Sequence, residues 1–569
     1  MAFRQIARTQ IAARSARSAL APRAAVARLA APVAGSPSAL RSIRAYATDG
    51  QQQPQYSQQP QQQHEQPKHK GRFRRILGNV VKLTAVVFIG ATAFFLYEIN
   101  ADNHPGDQKP QDPSKPTLVI LGSGWGATSF LKQLDTDEFN VVVISPRNYF
   151  LFTPLLPSVT VGTLEPRSII QPTRFITRHK KRAVQVYEAN AEDVDPFAKT
   201  VTFQDLSGLN GPTDKVTINY DYLVYAVGCE NQTFGMKGVT DYACFLKELP
   251  DAEKIREKLM ECIETAHFPG QSEAEVDRLM HMIVVGGGPT GVEYAGELHD
   301  FLIEDLKKWY PEVADKLRIT LIEALPNVLP AFSKQLIQYT ESTFKENKID
   351  VLTRTMVKDV KEDSVIVQDA NKETREIPYG LLVWATGNTS RPITRNLMAK
   401  LPAVQTQRRG IVVDDYLEML GAPGVYAIGD CTATSYAPTA QVASQEGKYL
   451  ATTFGKIGQK AKYERQLKKL RESGTASAEE IENVVKKLNR VSKITPFHYS
   501  HQGSLAYIGS EKAIADLPLF NGNLASGGGA AMLFWRSAYI STLYSLRNRS
   551  LVMADWLKVK LFGRDVSRN

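Results

Sequence analysis

The sequence predicts an α/β chain with two Rossmann-type nucleotide-binding units, one inserted in the other, followed by membrane-associated helices at the C-terminal end. Two glycine-rich loops predict the units, each led in by an apolar run: "LVILGSGWGAT" at 118–128 and "MIVVGGGPTGV" at 282–292. Two matching apolar strands, "YDYLVYAVG" at 220–228 and "YGLLVWATG" at 379–387, return each unit to a small-residue turn. The strand "GVYAIGD" at 424–430 comes after the second unit and belongs to the first, which makes the first discontinuous.

Composition sets the frame. The chain has 569 residues, 43% hydrophobic and 22% charged, enough for two or more globular domains. Much of the +10 net charge lies in the first 80 residues, so it does not indicate a nucleic-acid surface. Cys229, Cys244, Cys262 and Cys431 form no CxxC or CxxxxC pair, which argues against a dithiol redox centre and a zinc cluster. No DxDxDG-type loop is present, so direct calcium control is not expected, and with the unpaired cysteines no metal is expected.

Residues 1–48 carry eight arginines and no acid before Asp49, the composition of a mitochondrial transit peptide. "RAYA" at 44–47 places its end at 46. Residues 47–75 read as a disordered Gln/Pro-rich and basic linker. From 76 to 97 the only charge is Lys82, and a helix of that length spans ~33 Å, close to the hydrocarbon thickness. Lys68, Lys70, Arg72, Arg74 and Arg75 precede this transmembrane span, and Glu98, Asp102 and Asp107 follow it. The charge bias holds the basic end in the matrix and puts the body in the intermembrane space.

The first unit takes residues 115–250 and 391–495. Leu118–Leu121 reads as a buried strand, Gly122 as the tight turn, and Gly124 as the point of close approach to a pyrophosphate. Trp125 and Gly126 complete the loop, and Ala127 fills the third small position. The second strand ends in Ser145, Pro146 and Arg147, where a carboxylate for the adenosine ribose is usual. Gly228 closes the returning turn, and Asp430 stands at the carboxyl end of the last strand, placed to accept from the ribityl hydroxyls of a flavin.

The second unit, 251–390, has the full GxGxxG of Gly286, Gly288 and Gly291, with Pro289 and Thr290 opening its helix. Glu323 ends the strand "RITLIEA"; a carboxylate there accepts ribose hydroxyls and repels a 2′-phosphate, favouring NADH over NADPH. Thr386, Gly387 and Asn388 form its returning turn. Two loops mean two dinucleotides: FAD on the first, NADH on the second.

"GSGWGATSFLKQLD", "ISPRNYFLFTPLLPSVTVGTLEPRSI", "VVGGGPTGVEYAGEL", "WATGN", "AQVASQEGKYLA" and "SLAYIGSEKAIAD" resemble the motifs of the alternative (type II) NADH:ubiquinone oxidoreductases of fungal and plant mitochondria, over roughly 115–569. The N-terminal address and span resemble the externally facing members. The resemblance implies a flavoprotein that passes hydride from NADH to FAD and two electrons to ubiquinone, feeding the respiratory chain without pumping protons. "ISPR" is what that family carries at the ribose position.

On that footing Thr153 and Pro154 support the isoalloxazine. A helix over 438–451, with Pro438 near N1, aims the N–H groups of Thr439, Ala440 and Gln441 at the flavin's pyrimidine edge. The resemblance gives Gln441 and Gln445 to the quinone headgroup, Glu293 to proton delivery beside the nicotinamide, and Tyr539 to the quinone ring. Ser444 stands where some relatives carry His, which removes an imidazole mechanism. A charged helical pair is expected over 456–493. The tail, 496–569, reads as basic and amphipathic: it docks on inner-membrane lipid at the headgroup level, with homodimer packing through the same region as a compatible alternative. Two rivals stand: a sulfide- or disulfide-type flavin oxidoreductase, which needs paired cysteines, and a membrane-tethered NADH-binding flavoprotein with an assembly or signalling role. Rapid sulfide or dihydrolipoamide oxidation would favour the first, and high NADH:quinone turnover by the purified chain counts against the second.

Overall fold

The computed structural model describes residues 70–206, 209, 215–473, 476–519 and 522–568. The transit peptide expected over 1–46 and most of the linker lie outside the described residues. Among the described residues the chain divides between Glu98 and Ile99.

Helix α1 (Lys70–Asn103) is one 34-residue helix. Its segment Lys82–Asn103 is long and apolar enough to cross a membrane, and none of it is buried. This candidate segment begins at Lys82, later than the span expected at 76–97.

The first sheet is built from β1 (Thr117–Leu121), β2 (Asn140–Ser145), β3 (Val184–Asp195), β4 (Thr200–Asp205), β5 (Lys215–Asn219) and β6 (Tyr222–Tyr225), in the order β6-β1-β2-β3-β4-β5. Val425–Ala427, from far along the chain, pairs parallel to β6 at the outer edge. β1 runs parallel to both β2 and β6, with Leu118 opposite Val141 and Tyr222. Leu118–Leu121 and Val141–Ile144 are buried throughout, as strands covered on both faces must be.

The insertion is visible as a pair of crossing strands. β7 (Cys229–Asn231) carries the chain out and β13 (Asn388–Ser390) brings it back, paired antiparallel with Cys229 opposite Ser390. Between them β8 (Cys244–Phe245), β9 (His281–Val285), β10 (Arg318–Ile322), β11 (Ile349–Leu352) and β12 (Leu381–Trp384) form a parallel sheet ordered β8-β12-β9-β10-β11. β8 already belongs to this second sheet, so the chain crosses before the boundary expected at 250. That two-residue strand lacks the length to register as a strand in sequence.

After Val425–Ala427 the chain enters a helix of 34 residues, Ala440–Ser473. The helix expected at 438–451 and the first of the charged pair are thus one element. The second helix of the pair, Ala478–Val491, starts with a capping box between Ser477 and Glu480. A Cβ on Gly447 would come within 2.3 Å of the Gly126 carbonyl, so Ala440–Ser473 and the helix Trp125–Gln133 touch backbone to backbone. The tail is an antiparallel meander (Ser504–Tyr507, Ala513–Leu519, Gly522–Gly528) followed by helices Gly529–Thr542 and Leu546–Phe562. Trp535 and Val552 are core residues, whereas Leu533, Met553, Leu557, Leu561 and Phe562 are exposed.

Candidate active site

The two glycine loops are built alike. The N–H of Gly122 donates to Ile144 O and that of Gly286 to Ile322 O, each at 2.8 Å. Both glycines are left-handed, at φ +106° and +114°. A Cβ on Gly122 would stand 2.4 Å from Ala226 O, and one on Gly286 2.8 Å from Ala385 O, so each loop lies on the turn that ends its partner strand. Those turns contain Gly228 and Gly387, also left-handed. A Cβ on Gly291 would meet Gly286 O at 2.0 Å, and the corresponding place in the first loop is filled by buried Ala127. Gly124 and Gly288, in contrast, have nothing within 4 Å of an added Cβ. That open space over a helix N-terminus is what a pyrophosphate needs, and both loops fit one.

A cavity of about 540 Å³ opens between the two sheets. From the first unit it is lined by Gly122, Gly124, Trp125, Gly126, Ser145, Pro146, Arg147, Thr153, Pro154, Gly228, Asp430, Thr439 and Ala440. From the second come Pro289, Thr290, Glu293, Thr386, Gly387 and Asn388, and from the tail Tyr539. Gly286, Gly288, Gly291, Glu323, Gln441 and Gln445 do not line it.

The side chains in the wall are held by one another. Ser145 Oγ donates to Ser123 Oγ at 3.0 Å and accepts from the Arg147 N–H at 3.2 Å. The Arg147 guanidinium pairs with Glu248, and Arg391 reaches the same carboxylate at 3.8 Å. Trp125 Nε1 donates to Thr153 Oγ1 at 3.0 Å, which joins the first loop to the segment expected under the isoalloxazine. Asp430 Oδ2 accepts from Cys229 Sγ at 3.2 Å, and Lys247 Nζ donates to Cys229 Sγ at 3.0 Å and to Asn388 Oδ1 at 2.7 Å. Glu446 Oε2 accepts from the Gly429 N–H at 2.6 Å, fixing the Asp430 turn from beneath.

Lys247, Glu248, Arg391 and Glu446 were missed in the sequence. Only Glu248 had a local signal: it forms a capping box with Asp251 at the start of the helix Leu249–His267. All four cysteines are free and buried, and burial pushes the Cys229 thiol up to about 11. They offer no paired thiolate to a disulfide mechanism.

At the start of Ala440–Ser473 the cap is Thr439, not Pro438: the Val442 N–H donates to Thr439 Oγ1 at 3.3 Å and the Ala443 N–H to Thr439 O at 3.0 Å. Pro438 thus sits before the cap, because the helix begins later than its sequence suggests. The N–H groups of Ala440 and Gln441 are first-turn donors with no carbonyl a turn behind them. The side chains of Gln441 and Gln445 turn elsewhere. Gln441 Oε1 accepts from Tyr499 Oη at 2.8 Å and from the Gln502 N–H at 3.0 Å, and its Nε2 donates to Gly503 O at 2.9 Å. Gln445 makes both of its bonds to the Ser500 backbone. The two amides expected at the quinone headgroup are engaged within the chain, both by the segment 499–503. Ser444 is likewise turned away, bonded to Ser129 at 2.8 Å.

Glu293 lies on the helix Pro289–Phe301 and is buried. Its Oε1 accepts the Tyr507 N–H at 3.1 Å. The Trp535 indole N–H lies near the same carboxyl without reaching hydrogen-bond geometry, and it has no other partner among the described residues. Burial pushes the carboxyl up to about 8. Tyr539 stacks edge-on against Trp535 at 4.5 Å and Phe152 at 5.9 Å, forming an aromatic wall beside Glu293. Glu323 Oε2 accepts from the Gly287 N–H at 2.5 Å and Oε1 from the Leu325 N–H at 2.6 Å, so its carboxylate sits directly under the second loop.

Residues 116–447 match the family described as pyridine nucleotide-disulphide oxidoreductase, and residues 501–565 match the NDH2 C-terminal domain. The chain is 50% identical over 526 residues to the external alternative NADH-ubiquinone oxidoreductase of Yarrowia lipolytica, covering 90% of each. It is 44% identical to the external NADH-ubiquinone oxidoreductase 2 of Saccharomyces cerevisiae, over 87% of this chain and 91% of the relative. The solved structure of NDH2 from Plasmodium falciparum in complex with NADH is similar at a TM-score of 0.69 and 30% identity, covering 80% of this chain and all of the other.

Proposed function

This chain belongs to the pyridine nucleotide-disulphide oxidoreductase family, among its alternative NADH-ubiquinone oxidoreductases, and we propose that it oxidises NADH and reduces ubiquinone through FAD at the inner mitochondrial membrane. The observation that carries the reading is one cavity lined by the first glycine loop, by Pro289, Thr290 and Glu293 of the second unit's helix, and by Tyr539 of the tail. FAD fits the first unit: Gly124 leaves room for its pyrophosphate, Arg147 and Arg391 line the same cavity, and Asp430 is placed to take the ribityl hydroxyls. When bound there, FAD supplies a two-electron centre between donor and acceptor. NADH fits the second unit, its pyrophosphate over Gly288 and its adenosine ribose on Glu323.

The chain's own groups do the rest. The Ala440 and Gln441 N–H groups and the dipole of their helix favour negative charge in the cavity. Hydride transfer from NADH carries two electrons and one proton, and a quinol holds two of each, so every turnover takes one proton from water. Glu293, neutral up to about pH 8, holds that proton at the cavity wall. Tyr539, backed by Trp535 and Phe152, gives the quinone ring an aromatic face in the cavity wall. Gln441 and Gln445 act by holding 499–503 in place. Lys82–Asn103 spans the membrane with the body in the intermembrane space, after a transit peptide at 1–46 has been removed, and the exposed apolar residues of Leu546–Phe562 dock on lipid.

The test is an absorbance spectrum of the purified full chain. A flavin band that bleaches with NADH and returns on adding a ubiquinone analogue supports the reading. A colourless protein that does not take up FAD, or a bleached one that quinone leaves bleached, overturns it.

A further inference from the structure

The chain's last turn is clamped to the helix that carries Glu293. Arg564 is buried, and its Nη1 pairs with Asp305 at 2.8 Å and Glu304 at 2.7 Å, in the helical extension beyond Phe301. Its Nε donates to Thr163 Oγ1 at 2.9 Å. That hydroxyl has one hydrogen of its own, and it points at Glu297 Oε2, 2.7 Å away. Ser158 Oγ donates to the other oxygen, Glu297 Oε1, at 2.6 Å, and Arg564 Nη2 stands 4.0 Å from Oε2. Glu297 is itself buried and lies one helical turn from Glu293, on the same face.

We propose that Arg564 is a positioning residue for proton delivery: its Nε fixes the Thr163 hydroxyl as a donor to Glu297, which favours the charged form of that carboxyl, and that charge sets how firmly Glu293 holds the proton that completes the quinol. The proposal rests on the reading of Glu293 as the proton donor. The balance is the one given above: NADH, one proton and quinone become NAD⁺ and quinol, and the single solvent proton passes through Glu293.

Burial pushes the Glu297 carboxyl above the ordinary carboxylate range, and Arg564, Ser158 and Thr163 pull it back toward its charged form. The groups facing this pair are known from each packed element: Tyr507 of the meander, Trp535 and Tyr539 of Gly529–Thr542, and Asp300 on the same helix. The Asp300 carboxylate is already engaged by Tyr507 Oη, the Ser510 N–H and His299. Arg256, the other cation near Gly162, is paired with Asp565 at 3.7 Å. Arg564 is therefore the cation that answers to Glu297. With Glu297 ionised, its repulsion makes Glu293 keep its proton to higher pH. With Glu297 neutral, Glu293 loses its proton at lower pH.

The test is the pH profile of kcat/KM for a ubiquinone analogue, measured on the full flavin-loaded chain, with flavin reduction by NADH followed separately. In the wild type the alkaline limb marks loss of the Glu293 proton. Thr163→Val removes the hydroxyl but leaves the ion pairs of Arg564 with Asp305 and Glu304, so it is a milder change than Arg564→Gln. Thr163→Val, Arg564→Gln and Glu297→Gln are each expected to move the limb down by about half a pH unit or more, roughly a threefold loss of rate on the limb. The double variant Glu297→Gln/Thr163→Val moves it no further than Glu297→Gln alone, and flavin reduction is unchanged. A limb unmoved in Thr163→Val, or shifts that simply add in the double variant, overturns the proposal alone. A limb that persists in Glu293→Gln overturns it together with the reading beneath it.

Discussion

The Tyr507 N–H donates to Glu293 Oε1 at 3.1 Å, joining the C-terminal meander to the helix of the second nucleotide unit. One backbone donor is too little to hold a buried carboxylate charged, so burial dominates and the group stays neutral up to about pH 8. Two consequences follow for Glu293→Gln. Quinone-dependent turnover should fall by about 10²-fold while flavin reduction by NADH is nearly unchanged, since hydride transfer needs no base. Stability should respond to pH. The folded-state affinity for the proton exceeds the unfolded one, so this stabilisation is full below the ordinary Glu range near 4.5 and is lost as pH rises through about 8. The Tm difference between wild type and Glu293→Gln, followed from pH 5 to 9, should swing toward the variant; a constant difference would refute it.

The two middle glycines make a sharper pair of variants. Gly288→Ala meets nothing in the chain, so its Tm should match the wild type. Its methyl occupies the space kept for the pyrophosphate, and the KM for NADH should rise about tenfold, a loss of ~1.4 kcal/mol of binding. Gly286→Ala instead puts a Cβ 2.8 Å from Ala385 O at φ +114° and should lose stability, by at least about 1–3 kcal/mol for the strained backbone. Thermal unfolding and NADH titration of both proteins check this.

These loops were legible because the reason for each glycine is local or one strand away: a left-handed turn at Gly122, a close backbone contact at Gly291. The strands were legible because a run such as Val141–Ile144 is buried on both sides. Arg564, Thr163 and Glu297 gave no such signal. They lie far apart in sequence, and an arginine in a basic tail looks like a surface residue until Asp305 and Glu304 are placed around it. Gln441 and Gln445 were legible as one face of one helix, but the segment that uses their amides, 499–503, has no periodicity that marks it as a partner. The length of Ala440–Ser473 was hidden for a related reason. Its first half is buried on Trp125–Gln133 and its second half is mostly exposed, so the pattern changes in mid-helix.

Gln441 should therefore act on the quinone side through 499–503. Gln441→Ala leaves Tyr499 Oη, the Gln502 N–H and Gly503 O without their amide partner. The expected cost is about 1–3 kcal/mol of stability. It comes with a raised KM for the quinone analogue and an unchanged KM for NADH. Equal changes in both constants would instead place Gln441 in the nucleotide site.

Leu557, Leu561 and Phe562 are 59%, 64% and 79% exposed on the last helix, and Met553 continues the row one turn before Leu557. Lys558 and Lys560 lie among them, the mixture an interfacial helix needs. Inserting a leucine or phenylalanine side chain into the acyl boundary is worth about 1.5–3 kcal/mol. None of the three supports the core, because the helix is held through Val552, Asn548 and Asp555, the last two bonded to Ser168. Leu557→Ser/Leu561→Ser/Phe562→Ser should keep its flavin content and Tm in detergent. It should still reduce a short-chain, water-soluble quinone, yet lose most of its activity toward a long-chain quinone dissolved in vesicles. Equal activity toward both quinones, with a change from dimer to monomer in light scattering, would show that this face meets a second copy of the chain instead of lipid.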